Sequence, residues 1–314
     1  MRDCSVGAAI HYSPFTIYYY NLQFPVPELP EVETVLQGLQ QRALGRRISA
    51  VEVRHPSVII GSPEQFAAEL EGRAIISIRR KGKVLTLELE AENVPPRYLL
   101  VRLGMTGQFT VSARATPLAP HTHVLLALGE SEELRFRDVR RFGRLRSCTL
   151  EEVQAALDRL GPDAQEVTEE QFLAAMRARR GAIKSWLMNQ QLLAGLGNIY
   201  ADEALFVAGI HPLAQPGRVS APKARRLFRA VRKVLDHAVK LQGTSFRDYI
   251  DIEGRPGNYA PRLRVYQRTG RPCFRCGRPI RRIVIAGRSS HFCPKCQPRP
   301  RHVAKMRGLL LLPS

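Results

Sequence analysis

Past residue 28, apolar positions return every three or four residues (Val32, Val35, Leu36, Leu39), the period of a helix with one buried face. Its first turn carries start signals. Pro30 suits a position whose N–H has no partner within the helix, and Glu31 and Glu33 complement the positive end of the helix dipole. From about Ile48 to Arg146 the pattern shifts to short β-prone runs. Segments 75–79, 84–89, 98–103, 123–128 and 134–137 read as strands separated by Gly, Pro and polar residues. Antiparallel strands at this spacing predict a sandwich or flattened barrel. The helical period resumes after Leu160-Gly161-Pro162. Thr168-Glu169-Glu170-Gln171 has the form of a capped start, and residues 168–240 read as helices. Residues 248–267, rich in Gly, Pro and Arg, read as a loop feeding a last small module.

The predicted fold class is α+β and multidomain. A leading helix and β-sandwich occupy 27–158, a helical domain 159–262, a cysteine-bearing module 263–297, and a basic, loosely ordered tail 298–314. Residues 1–26 stand apart: they are nearly uncharged, hold Tyr18, Tyr19 and Tyr20 in succession, and show no helical period.

Composition narrows the partners. Of 314 residues, 48 are Lys or Arg and 28 are Asp or Glu, a formal charge of +20. Such an excess repels itself in a compact chain unless a polyanion is the partner. A hydrophobic share of 44% is that of a globular protein, and no apolar run reaches the roughly 18 residues of a membrane span. The first residues lack the pattern of a secretory signal. A cytoplasmic protein without membrane attachment is expected.

Cys273-x2-Cys276 and Cys293-x2-Cys296 enclose sixteen residues, a spacing suited to a four-cysteine zinc site. Each pair places two thiolates on one ion from a tight knuckle, and two knuckles complete a tetrahedron. The same thiols could form two disulfides, but a cytoplasmic protein seldom keeps them. One structural zinc ion is therefore expected. Residues 271–296 carry seven Lys or Arg and no acid, in a module too small to hold a core without metal. A hairpin turning at Ala286-Gly287-Arg288 would project an arginine, either toward nucleic acid or merely into solvent. Cys4 and Cys148 have no such partners.

Five motifs occur in one order: Pro27-Glu28-Leu29-Pro30-Glu31-Val32-Glu33-Thr34, Leu103-Gly104-Met105-Thr106-Gly107, Asp138-Val139-Arg140-Arg141-Phe142-Gly143, Gly197-Asn198-Ile199-Tyr200-Ala201-Asp202-Glu203, and the terminal cysteines. From Pro27 to about Gln297 the chain resembles the bacterial formamidopyrimidine-DNA glycosylases, base-excision enzymes for oxidised purines. The related endonuclease VIII acts on oxidised pyrimidines and opens Pro-Glu-Gly-Pro-Glu; Leu29 and the following Glu-Val-Glu-Thr favour the purine enzyme. The resemblance implies a β-sandwich, a helix–two-turn–helix domain and a zinc finger. Damaged double-stranded DNA would lie between them with its lesion flipped out of the stack. A monomer is expected.

The resemblance also implies roles. Pro27 is the nucleophile, forming an iminium link to the sugar C1′. Glu28 is the general acid/base, and Glu31 a supporting carboxylate. Lys83 donates a proton in β-elimination, and Arg288 assists δ-elimination. Met105, Arg140 and Phe142 fill the gap left by the flipped base. Asn198 holds phosphate at a helix start, although Gly195 and Gly197 would serve equally as ordinary helix punctuation. His121, Arg179 and Lys184 fall where the family places DNA contacts. Arg102 and Gln191 depart from the family pattern, leaving their roles undefined. A proline within a chain has a tertiary amide whose lone pair is in the peptide resonance. The iminium role therefore requires residues 1–26 to be absent, either through a start assigned upstream of the true one or through processing. With Pro27 blocked, the same scaffold would bind DNA without cutting it.

Overall fold

A computed structural model describes residues 27–246 and 249–300. The expectations for residues 1–26 and for the end of the tail lie outside the described residues.

Helix α1 (Leu29–Arg42) leads into two four-stranded antiparallel sheets. Strand β1 is Ile48–Val53, and a short helix α2 (Pro63–Leu70) precedes β2 (Ala74–Lys81). Then come β3 (Val84–Ala91), β4 (Val94–Arg102), β5 (Gly107–Ala113), β6 (Thr122–Leu128), β7 (Glu132–Asp138) and β8 (Arg144–Cys148). One sheet runs β1-β6-β7-β5 and the other β2-β3-β4-β8. Period-two burial explains the layers. Leu85, Leu87, Leu99 and Val101 face Phe109, Val124, Leu126 and Phe136 in one core, as two packed sheets require. On the outer side of β3 and β4, Val84, Tyr98 and Leu100 are covered by Val153 and Ala156 of α3 (Leu150–Asp158).

The helical unit comprises α4 (Glu169–Met176), α5 (Ile183–Met188), α6 (Asn198–Ala208) and α7 (Ala221–Lys240). Thr168 caps α4 as its sequence predicts, with Gln171 N–H donating to its hydroxyl at 3.2 Å. Helix α6 is buried nearly all round, as expected of an element enclosed by neighbours. The last module is a hairpin of β9 (Arg281–Ile285) and β10 (Arg288–Phe292), packed through Ile280, Cys273 and Cys293 against Phe206 of α6. Its turn is tighter than the sequence suggests. Arg288 pairs with Ile285 as the first residue of β10, leaving Ala286 and Gly287 as the two-residue turn; both have positive φ, as such a hairpin requires.

The two large cores meet on α1. Leu29 belongs to the helical core, while Val32, Val35, Leu36 and Leu39 belong to the sandwich core. The start of α1 thus sits at the junction of the domains.

Candidate active site

Glu28 is 1% exposed, and its carboxylate lies against the start of α6. It accepts the N–H groups of Gly197 at 2.7 Å, Ile199 at 2.8 Å and Tyr200 at 3.3 Å. These donors belong to the positive end of the helix dipole and have no partner within the helix, so an anion suits them. Two glycines allow the approach. A Cβ at Gly195 would lie 2.5 Å from Leu29 Cδ1, and one at Gly197 would lie 2.5 Å from Glu28 Oε1. Neither glycine ends a helix, since α5 closes at Asn189 and Gly197 is the N-cap of α6; the anion held there is the chain's own carboxylate.

Glu31 is more than a dipole complement. One oxygen accepts the Glu28 N–H at 2.9 Å; the other accepts the Thr244 N–H at 2.6 Å and the Tyr200 hydroxyl. The Tyr249 hydroxyl donates to the Glu31 carbonyl at 3.3 Å. Burial raises both carboxyls above their ordinary range, and the charge of Glu28 contributes to pushing Glu31 up to about 7. Glu33 has a structural place, paired with Arg80 at 2.8 Å.

Lys83 follows the β2–β3 turn at Gly82, which is fixed by Asp163 accepting the Gly82 N–H at 2.7 Å and pairing with Arg80 at 2.6 Å. Burial lowers the Lys83 ammonium below its ordinary range; Glu28 and Glu31 oppose that, and Arg288 reinforces it. Glu28, Glu31, Lys83 and Arg288 thus act on one another across three separate segments. Pro27, also buried, immediately precedes Glu28 in the chain.

Arg288 is aimed by the anchoring of its strand. Asp202 of α6, fully buried, accepts the His291 N–H at 2.8 Å and pairs with Lys184 at 2.7 Å. Lys184 also donates to the Ser289 carbonyl at 2.6 Å. This corrects the expectation of a DNA contact at Lys184. Its side chain is 1% exposed and ties α5, α6 and β10 together, since a buried ammonium persists only where paired. His291 likewise packs inside.

Two loops form a second cluster. Asp138, 0% exposed, accepts N–H groups of Gly143 at 2.6 Å and Arg140 at 3.2 Å, and the Thr106 hydroxyl. It thereby joins the Met105 loop to the 139–143 loop. Phe142 is 43% exposed, with the Arg140 guanidinium 5.1 Å from its ring, while Met105 is half-buried nearby in sequence to Thr106. An exposed phenylalanine held on a rigid loop is available to a partner rather than to the core. His121 is exposed and accepts the Asp138 N–H on its carbonyl at 3.0 Å, beside this cluster. Asn198, half-buried, opens α6 next to Glu28. Arg179 is exposed on the turn after α4 and is not among the groups that meet at Glu28.

The four cysteine sulfurs all lie within 4.8 Å of one another, with Cys276 and Cys293 at 3.4 Å and Cys273 and Cys296 at 3.9 Å. Metal–sulfur bonds of about 2.3 Å in a tetrahedron imply sulfurs roughly 3.8 Å apart. The set fits a metal ion and not disulfides.

Asp138, Tyr200, Asp202 and Glu203 lie within the sequence motifs but carry no role predicted from them. Glu203 accepts the N–H groups of Arg264, Val265 and Tyr266, each at 2.9 Å, fixing the approach to the finger. The available signal was chemical: two acids inside an otherwise apolar helix need buried donors.

A sandwich, a helical unit and a metal-knuckle hairpin are thus joined around one buried carboxylate pair. Family models match all three parts: the formamidopyrimidine-DNA glycosylase N-terminal domain over residues 26–145, its H2TH domain over 160–249, and a zinc finger found in FPG and IleRS over 270–299. The chain belongs to the formamidopyrimidine-DNA glycosylase family. It is 44% identical over 275 residues to the formamidopyrimidine-DNA glycosylase of Solibacter usitatus, covering 87% of this chain and 100% of that protein. The Symbiobacterium thermophilum enzyme is 43% identical over 284 residues, covering 89% and 92% respectively. Among solved structures, Lactococcus lactis Fpg in complex with abasic-site DNA superimposes with a TM-score of 0.80 at 34% identity, covering 87% of this chain and 100% of that one.

Proposed function

We propose that this chain is a bifunctional DNA glycosylase and abasic-site lyase for oxidised purines, 8-oxoguanine and formamidopyrimidines, working through the secondary amine of Pro27. The observation that carries the reading is the mutual influence of Glu28, Lys83 and Arg288, with Pro27 next to Glu28 in the chain. The amine attacks C1′, the bond from C1′ to the base breaks, and the base leaves with a proton. Glu28, buried and of raised pKa, suits proton transfer at the sugar oxygen or the base. The resulting iminium acidifies the C2′ hydrogen, so the 3′ and then the 5′ phosphate leave by β- and δ-elimination. In this reading Lys83 gives a proton and Arg288 neutralises the departing phosphates. An α-amino group has a pKa near 8, so about a tenth is neutral at pH 7; a free lysine offers far less. Met105, Arg140 and Phe142 occupy the vacated stack, with Arg140 donating to the orphaned cytosine. His121, Asn198 and Arg179 contact the backbone. Cys273, Cys276, Cys293 and Cys296 hold one structural zinc ion, which fixes the hairpin bearing Arg288 and takes no part in the chemistry.

The mechanism requires a free amine at Pro27, so the active form begins there. Two facts support this: the N-terminal family model starts at residue 26, and relatives matched over their whole length cover 87% of this chain. Borohydride trapping tests it. Protein beginning at Pro27 is expected to form a covalent adduct with duplex containing 8-oxoguanine opposite cytosine, and the chain beginning at Met1 none. Trapping by a homogeneous Met1 chain would require another nucleophile.

A further inference from the structure

We propose that the solvent face of α7 is a second DNA-backbone contact, separate from the cleft at Glu28. Arg226, Arg229, Lys233, His237 and Lys240 are all exposed. At 3.6 residues per turn they fall within about 80° of one another and run roughly 21 Å along the helix. The opposite face is buried through Leu227, Ala230, Val231, Val234 and Ala238, so the stripe looks away from the helical core.

Its location follows from α6. Arg226 donates to the Ala208 carbonyl at 2.8 Å, at the C-terminal end of α6, whereas Glu28 sits at the N-terminal end. An eleven-residue helix separates those ends by about 16 Å. The Arg226 end of the stripe therefore lies away from the carboxylate pair.

The charge is poorly offset within the molecule. Arg225–Arg229, Arg229–Lys233 and Arg226–Arg229 are like-charge neighbours at spacings that repel. Lys223 occupies the first turn, where the dipole disfavours a cation and no acid stands. Among the described residues, the carboxylate paired with an α7 cation is Glu169, 3.3 Å from Arg225. Asp236 is exposed on the same helix, and Glu203 is committed to three backbone N–H groups. Arg262 and Arg264 add to the field from the neighbouring segment: burial first, then these two with Lys240 and Lys233, hold His237 below its ordinary range. Lys233 and His237 line a shallow notch together with Tyr259, Arg264 and Glu203. The four Lys and Arg charges span about 21 Å, roughly one per 7 Å, so they can meet about every second charge of a phosphodiester strand, which carries one per roughly 3.4 Å.

The test loads the cleft first. Protein beginning at Pro27 is given one equivalent of a short duplex carrying an abasic-site analogue, and a labelled undamaged duplex is then titrated by anisotropy. The loaded wild type is expected to bind the second duplex. The triple variant Arg229→Gln, Lys233→Gln, Lys240→Gln should bind it at least tenfold more weakly, with a log–log salt slope shallower by about 2.7, at 0.9 per lost phosphate contact. Single-turnover excision from the short lesion duplex should stay within twofold. No second binding to loaded wild type, equal binding by the variant, or a parallel loss of excision would each overturn the proposal. If the triple variant melts early, the pair Lys233→Gln and Lys240→Gln reads the same slope, with a loss of about 1.8. Failure of the first duplex to load would instead count against the cleft reading.

Discussion

Replacing Gly197 with alanine moves the Glu28 carboxylate without touching its chemistry. The new methyl would sit 2.5 Å from Glu28 Oε1, inside contact distance. Glu28 is a side chain and yields, so the steric cost itself is small. The cost lies in what it leaves behind: the N–H groups of Gly197 and Ile199 lose an acceptor at 2.7 and 2.8 Å, and a buried carboxylate loses its donors. A hydrogen bond to a charged group contributes about 1.5–3 kcal/mol, and an unsatisfied buried group costs a similar amount. A destabilisation of about 2–4 kcal/mol is expected, read as a lower denaturant midpoint. A displacement near 1 Å of a reacting group costs about a hundredfold in rate, so single-turnover excision of 8-oxoguanine should fall by at least that factor. Glu28→Gln provides the comparison, because it keeps the position and removes the ionisable group. A Gly197→Ala protein with wild-type excision and an unchanged midpoint would refute the argument that α6 holds Glu28 in its working place.

Three further outcomes are expected. Cys273→Ser should lose metal and DNA binding while the β-sandwich stays folded, because the finger has little core of its own; metal analysis and circular dichroism check this. Glu31 has a pKa raised from 4.5 to about 7 by burial, so the folded state binds a proton the unfolded state releases. Its contribution to stability is full below pH 4.5 and is lost as pH rises toward 7, about 3 kcal/mol at most; urea midpoints at pH 5 and 7.5 should differ in that sense for wild type and less for Glu31→Gln. Arg140→Ala should weaken discrimination among bases opposite the lesion more than overall affinity, whereas equal losses against all four bases would mark Arg140 as a phosphate contact.

The helical and strand periods made the domains legible, because one buried face per element imposes a countable pattern. Strands β5 and β8 were harder to read. Both are edge strands, where Gly107, Gln108, Arg144 and Arg146 break an apolar run without breaking pairing. The cysteine spacing was legible because a metal dictates it. The misplacement of Lys184 has a different cause: nothing in a one-dimensional pattern separates a lysine facing solvent from one paired with a buried aspartate eighteen positions on. Glu31 was undervalued for the same reason, since Thr244 and Tyr249 reach it from more than two hundred residues away.

The carboxylate of Glu28 is synthesised at the beginning of the described chain, yet its donor at Gly197 follows 169 residues later. Arg288 comes later still, fastened to α6 through Asp202. A chain emerging from the ribosome therefore carries the Glu28–Glu31 pair early but has nothing yet to bury it against. The donors that hold Glu28 exist only once α6 has been made and docked. The buried carboxylate pair is thus among the last features of the fold to be completed, although its side chains are among the first of the described residues to be made.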